Sequence, residues 1–357
     1  MQNVKGVCPL PFTQLFLNPN GTVAPCCYLA QAPYYHVGDI QKQTLEEMWN
    51  SPKMRTLRKE LLEGKPKICQ FQMQASQCNR IRQDLAPRAV YQEVVPFPMQ
   101  RLDLMLNGHC NLECVMCDVW TMPNGVYGEN GFWEQGKESI FPYLVELDVK
   151  GGEPFIQKDV YRLIEEVSAV NPECNWHFTT NGHYRFNARM RDAVSKIRIV
   201  RLSLSIDSLD PARFAQIRKK GDLSLVLRTL DDWIEYKRIT DDRLLQINSN
   251  FVVQKDNWRE VPAFYSFCRQ KGIAPFFIIL THPSDLSILN LPLEERLEAL
   301  ERYYEAMRVD QDPVYFRIIR PLQDSIPAPE AIGLVGRHQA DVEQMKTFGP
   351  SIADVQA

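Results

Sequence analysis

Cys110, Cys114 and Cys117 crowd one short run, Gly108-His-Cys-Asn-Leu-Glu-Cys-Val-Met-Cys-Asp118, with C-x3-C-x2-C spacing. Thiolates this close in one loop serve a metal or disulfides. Three ligands leave one coordination position open, and an open position is where chemistry takes place. On residue types alone an iron–sulfur cluster, a zinc site that adds His109, and inert thiols all remain readings. Iron–sulfur leads, because adjacent residues rarely both aim at one ion and structural zinc usually draws on paired C-x2-C knuckles.

A second set of cysteines lies upstream: Cys8, Cys26, Cys27, Cys69 and Cys78. Cys174 and Cys268 have no ligand-type neighbours and read as small buried apolar residues. The 357-residue chain is 45% apolar and 24% charged, an ordinary globular composition. Its formal net charge of -3 gives no reason to expect nucleic acid or an anionic membrane. No apolar run is long enough to span a bilayer. The opening residues lack a basic region followed by an apolar one, so we expect a cytoplasmic, reducing compartment, where ten cysteines suit metal ligands better than disulfides.

The elements that must position these thiols fall into two regions. In residues 1–95, Gln14-Leu-Phe-Leu17 and Thr22-Val-Ala24 flank Asn18-Pro-Asn-Gly21, a hairpin signal. Thr44 and Glu47 form a capping box before a short helix, and Arg55–Leu62 reads as another. Ala86–Pro98, rich in proline, reads as a linker. Residues 96–285 alternate strand, loop and helix, with strands expected at 101–107, 144–150, 175–180, 199–206, 245–253 and 274–280. Such alternation implies right-handed βαβ units and a parallel sheet. Six units are too few for a closed eight-fold barrel, so the expected fold is α/β, a partial (β/α)6 TIM-like barrel after a small α+β domain. Residues 286–357 read as a helical extension packed on the core.

The cysteine run resembles the signature of the radical S-adenosylmethionine (SAM) superfamily, and further motifs follow in that family's order across residues 99–281. Gly151-Gly-Glu-Pro154 resembles the motif that holds the SAM amine. Glycines allow close backbone approach there, and an ammonium requires an acceptor. Thr180-Asn-Gly182 ends the third strand. Ser203 and Ser205 end the fourth, Ser205 matching the position that reaches the ribose. Arg218 resembles an arginine that pairs the SAM carboxylate. Asn248, Asn250 and Asn257 match polar positions on and after the fifth strand, and Phe276–Ile279 would line the adenine. Met116 stands where many relatives carry an aromatic residue. Asp207 reads as a helix cap.

The resemblance implies that Cys110, Cys114 and Cys117 hold a [4Fe–4S] cluster whose free iron SAM chelates. Reductive cleavage then gives a 5′-deoxyadenosyl radical that takes a substrate hydrogen. An external reductant such as flavodoxin or ferredoxin is implied as well.

Upstream, Cys8, Gly21 and Cys26 make a C-x12-G-x4-C pattern that resembles SPASM and twitch auxiliary-cluster domains, here placed N-terminally. The usual closing C-x2-C is absent, since position 72 is Gln72. We therefore expect Cys8, Cys26, Cys69 and Cys78 to ligate a second [4Fe–4S] cluster, with Cys27 as substitute for Cys78. Three protein ligands with an open iron, or a structural zinc, are the alternatives. Because these modules use the whole sequence, we expect a radical SAM oxidoreductase acting on a small, carbohydrate-like molecule, with the auxiliary cluster as electron acceptor. Peptide modification is the alternative within the class, and a non-catalytic iron–sulfur or zinc protein the alternative outside it. The histidines are dispersed, and packing is the simpler reading for His177, His183, Trp120, Tyr127, Tyr34 and Tyr35.

Overall fold

The computed structural model describes residues 7–30, 32–65, 67, 69, 83–128 and 131–339. The chain divides into two compact units. One comprises Met1–Asn111, Val119–Thr180 and Phe186–Leu202; the other comprises Leu112–Asp118, Asn181–Arg185 and Ser203–Ala357.

In the first unit, strands β1 (Gln14–Leu17), β2 (Thr22–Ala24) and β3 (Gly38–Asp39) form an antiparallel meander. Its turn works as the sequence suggests: Gly21 takes a φ of 85°, open to glycine at little cost. β1 also pairs in parallel with β4 (Arg101–Leu104), Gln14 opposite Arg101, so the N-terminal region contributes strands to the core sheet. After β5 (Glu113–Cys114), which belongs to the second unit, β6 (Glu146–Val149) and β7 (Asn175–Thr180) extend that sheet in parallel beyond β4. Leu102, Leu104, Leu147, Val149, Trp176 and Phe178 are all buried on alternate positions. Each such side chain contributes about 1.5–3 kcal/mol on burial. The capping box Thr44–Glu47 forms as expected, and the helix Pro52–Leu62 follows it.

Residues 86–98 are not a free linker. Trp49 Nε1–H donates to the Pro96 carbonyl at 3.0 Å, and Asn50 Nδ2 to the Val95 carbonyl at 2.9 Å. Apolar Val95 and Met99 are buried, and that burial fixes a segment whose prolines alone suggested a spacer.

Strand β8 (Arg198–Ser205) begins in the first unit and ends in the second. The second unit holds β9 (Arg218–Lys219), β10 (Gln246–Val253) and β11 (Ala274–Ile279), the last two paired in parallel with Asn250 opposite Phe276. Helices Lys158–Val170, Ala188–Val194, Pro211–Ile217, Leu223–Ile239 and Val261–Lys271 alternate with the strands. The fold is α/β, a mostly parallel sheet with intervening helices, as in a partial (β/α)6 barrel. Helices Leu293–Asp310, Phe316–Asp324 and Ala328–Arg337 follow. Among the described residues no helix is long and apolar enough to cross a membrane.

Candidate functional site

The Gly-Gly-Glu-Pro loop and the start of the cysteine loop are joined by backbone. The Glu153 N–H donates to the His109 carbonyl at 2.9 Å, and Gln157 Nε2 donates to the same oxygen at 3.1 Å and to the Gly151 carbonyl at 2.8 Å. This approach is why position 152 must lack a side chain: a Cβ there would lie 2.1 Å from the His109 oxygen, at a φ of 55°. Gly108 is equally confined, since its Cβ would meet the Met122 carbonyl at 2.3 Å. Glu153 is fully buried. Its Oε1 accepts from the Phe155 N–H at 3.1 Å and from the Thr180 hydroxyl at 2.7 Å.

In the second unit, β5 and β9 pair antiparallel, with Cys114 directly opposite Arg218. Arg218 Nη1 donates to Cys114 Sγ at 3.7 Å, and Nη2 lies 2.7 Å from Asp207 Oδ2. Asp207 is therefore not a helix cap. Asp210 caps the helix Pro211–Ile217 through the Arg213 N–H, whereas Asp207 is fully buried, its Oδ1 accepting from the Val252 N–H at 2.7 Å. Asn257 Nδ2 donates to the Asp207 carbonyl at 2.8 Å, which gives that residue a structural task. Burial by itself would lower the Arg218 pKa; Asp207 foremost, then Cys114, raise it above the ordinary value, so the guanidinium stays charged.

Of the other residues singled out by sequence, Cys110 and Met116 are half-buried and Cys117 is exposed. Ser203 and Asn248 are buried, while Ser205, at the end of β8, and Asn250, within β10, are half-buried. Cys8, Cys26 and Cys69 are buried. Cys27 differs from them: it is solvent-accessible, and protein crowded around it pushes its thiol up to about 11, against the pull of Lys150. Cys78 lies outside the described residues. Cys174 and Cys268 are fully buried, as expected. Among the described residues no three His, Cys, Asp or Glu side chains are gathered as one bound metal ion would require.

The first unit also holds a buried charge network that the sequence reading missed. Arg101 reaches Glu146 at 2.9 Å and Asp148 at 2.7 Å, and Lys150 reaches Asp103 at 2.7 Å. His177 Nε2 lies 3.1 Å from Glu146, and Arg201 Nη2 lies 3.7 Å from Asp148. Burial pushes the Asp148 carboxyl up, but Lys150, Arg101 and Arg201 together hold it well below the usual range. A signal was present: Arg-Leu-Asp-Leu and Glu-Leu-Asp-Val alternate charged and apolar residues, whereas strands covered on both faces read as apolar runs.

The residues present suit an iron–sulfur cluster with SAM. Within the second unit, Cys114 faces the buried Arg218 cation. Among the described residues the Arg218 Nε has no hydrogen-bond partner, a donor to spare. The glycines at 151–152 let the Met105 side chain and the His109 carbonyl pack directly against the loop backbone, which holds the Gly-Gly-Glu loop beside the cysteine run.

Comparison with known proteins agrees with this chemistry. The family model described as the radical SAM superfamily matches residues 105–268, and the SPASM model, described as an iron–sulfur cluster-binding domain, matches residues 8–79. A GTP 3′,8-cyclase of Marinobacter nauticus is 27% identical over 220 residues, which are 58% of this chain and 64% of that protein. A probable GTP 3′,8-cyclase of Methanocaldococcus jannaschii is 25% identical over 224 residues, covering 60% of this chain and 66% of its own length. The chain thus spans slightly less than two thirds of these relatives. Streptococcus suis SuiB bound to S-adenosylmethionine aligns over 79% of this chain and 55% of its own, at 13% identity and a TM-score of 0.43. The chain thus carries a radical SAM domain over residues 105–268, with a SPASM iron–sulfur cluster-binding domain N-terminal to it over residues 8–79.

Proposed function

We propose that the chain is a radical SAM enzyme that takes a hydrogen atom from a small polar molecule. The observation that carries this reading is the His109–Glu153 backbone bond. It ties the Gly-Gly-Glu loop to the residue preceding Cys110, as a site must that holds SAM against a cluster. In this reading Cys110, Cys114 and Cys117 ligate the first [4Fe–4S] cluster. When bound, that cluster and SAM supply a strong one-electron reductant and a hydrogen-abstracting deoxyadenosyl group.

The chain's own residues bind and orient. Gly151, Gly152 and Glu153 hold the SAM ammonium, Glu153 being aimed by Thr180 and Phe155. Arg218 offers its spare Nε–H to the SAM carboxylate. Ser203, Ser205, Asn248 and Asn250 serve the nucleoside, and Met116 packs beside it. Cys8, Cys26, Cys69 and Cys78 ligate the auxiliary cluster, and a flavodoxin- or ferredoxin-type donor supplies electrons. The functional modules are then residues 1–95, 96–285 and 286–357, boundaries that differ from the compact units.

A small-molecule substrate is supported by the relatives, whose names place their action on GTP. We read the outcome as oxidation, with the auxiliary cluster accepting the second electron. The same names favour a second reading, ring closure without net oxidation. Anaerobic reconstitution, reduction and addition of SAM should release 5′-deoxyadenosine; none, with or without candidate substrates, would overturn the enzyme reading. A product lighter than its substrate by a hydrogen pair supports oxidation, and one of equal mass supports cyclisation.

A further inference from the structure

We propose that Arg218, aimed by Asp207, sets the reduction potential of the first cluster by donating a hydrogen bond to the Cys114 sulfur. The inference rests on the reading above that Cys114 is a cluster ligand. It adds a task for Arg218 and one for Asp207 that SAM binding does not require.

The geometry is over-determined. Pairing of β5 with β9 sets Cys114 opposite Arg218, and the Val115 N–H donates to the Ile217 carbonyl at 2.9 Å beside them. The turn after Arg218 is closed by the Gly221 N–H on the Arg218 carbonyl at 2.8 Å, and Lys220 is held at a φ of 70° to make it. That conformation is costly for a residue with a side chain. Asp207 engages Nη2 at 2.7 Å and is itself fixed by the Val252 N–H and by Asn257, so the guanidinium has one place to go. Nη1 then points at Cys114 Sγ at 3.7 Å. Arg218 and Asp207 are 6% and 0% exposed, so water does not screen the interaction.

The consequence for redox chemistry has a definite sign. One-electron reduction by the external donor adds one negative charge to the cluster and its thiolates. A cation and an N–H donor at a ligating sulfur stabilise the more negative state, which raises the potential. Asp207 opposes part of that field from farther away while fixing the nearer donor. Arg218 thereby makes the cluster easier to reduce by the external donor.

The test uses anaerobically reconstituted holoenzyme of the wild type, Arg218→Lys, Arg218→Gln and the double variant Arg218→Gln/Asp207→Asn. The double variant removes both buried charges together and spares the fold an unpaired carboxylate. Iron and sulfide are counted, and the cluster whose EPR signal responds to SAM is followed through a redox titration without SAM. Full iron content with a midpoint shifted to more negative potential is expected for Arg218→Gln and the double variant, with Arg218→Lys between them and the wild type. An unchanged midpoint with iron retained overturns the proposal. So does loss of that cluster in both glutamine variants, which would make Arg218 a structural support of the loop. Cys114→Ala is the separate control. If it keeps its full iron content, the ligand assignment itself has failed, whatever the arginine variants do.

Discussion

The Thr180 hydroxyl donates a 2.7 Å hydrogen bond to Glu153 Oε1, joining the end of β7 to the loop that follows β6. Both residues are buried, so the carboxylate depends on protein donors for its solvation. Thr180→Val keeps the shape and removes the donor. A lost hydrogen bond to a charged group costs about 1.5–3 kcal/mol. We expect a SAM dissociation constant raised by roughly tenfold or more, with Thr180→Ser close to wild type. Anaerobic calorimetry on the reconstituted protein decides it; equal affinity for Val and Ser variants would detach Glu153 from SAM binding.

Gly152→Ala tests the cradle. The new methyl would sit 2.1 Å from the His109 carbonyl at a φ of 55°, so the loop and the cysteine run must separate. Gly125 is the control, with a φ of 77° and nothing within 4 Å of its Cβ. Backbone strain alone costs about 1–3 kcal/mol and applies to both. Gly125→Ala should lose only that much stability, while Gly152→Ala should lose more and also its SAM binding. Urea denaturation and calorimetry on the pair separate strain from the steric term, and equal losses would count against the cradle.

Asp207→Ala leaves the Arg218 charge buried without its anion. Breaking a buried pair from one side costs about 3–5 kcal/mol. Replacing both partners should cost far less than the sum of the single changes. A double-mutant cycle in urea reads the coupling directly, and additivity within about 0.5 kcal/mol would mean that the pair contributes no coupling.

The strands were legible because period-two alternation and bounding turns coincide. Those expected at 144–150, 199–206, 245–253 and 274–280 form over Glu146–Val149, Arg198–Ser205, Gln246–Val253 and Ala274–Ile279. The hairpin at Gly21 and the box at Thr44 are local devices and read equally well. Pairing of Gln14 with Arg101 across the intervening chain was not legible, because parallel register between distant segments leaves no local trace. Asp207 shows the same limit at the site. An Asp after a strand reads as a cap, and only the fold brings Arg218 and Val252 to it.

His177 gives the native state a pH dependence of known sign. Burial pushes its pKa down to about 3, although Glu146 lies 3.1 Å away. The bond to that carboxylate requires the Nε2–H tautomer, and Nδ1 is buried with no hydrogen-bond partner among the described residues, so a second proton would have no acceptor. In the unfolded chain the imidazole titrates near about 6.5. Below that value the unfolded state binds a proton that the native state refuses. The stability is thus present above about pH 6.5 and is lost as pH falls toward 3. Between about pH 6.5 and 5 the loss should be about 2 kcal/mol. His177→Gln should flatten the slope relative to wild type; the paired carboxylates nearby titrate in both proteins and cancel in the difference. Parallel urea-midpoint curves for the two would show that His177 is charged when folded.

Cys27 and Cys78 compete for the fourth auxiliary ligand, and the two alanine variants separate them. An iron ligand must be a thiolate. The Cys27 thiol is pushed up to about 11 and is open to solvent, whereas Cys8, Cys26 and Cys69 are buried. A buried cluster would draw on the buried set and leave Cys27 protonated. Cys78→Ala should therefore lower iron and sulfide from about eight of each per chain toward about four, the loss of one four-iron cluster. Cys27→Ala should leave both counts unchanged. Reductive cleavage of SAM should survive in both, because Cys110, Cys114 and Cys117 are untouched. Iron lost from Cys27→Ala and retained in Cys78→Ala would reverse the assignment.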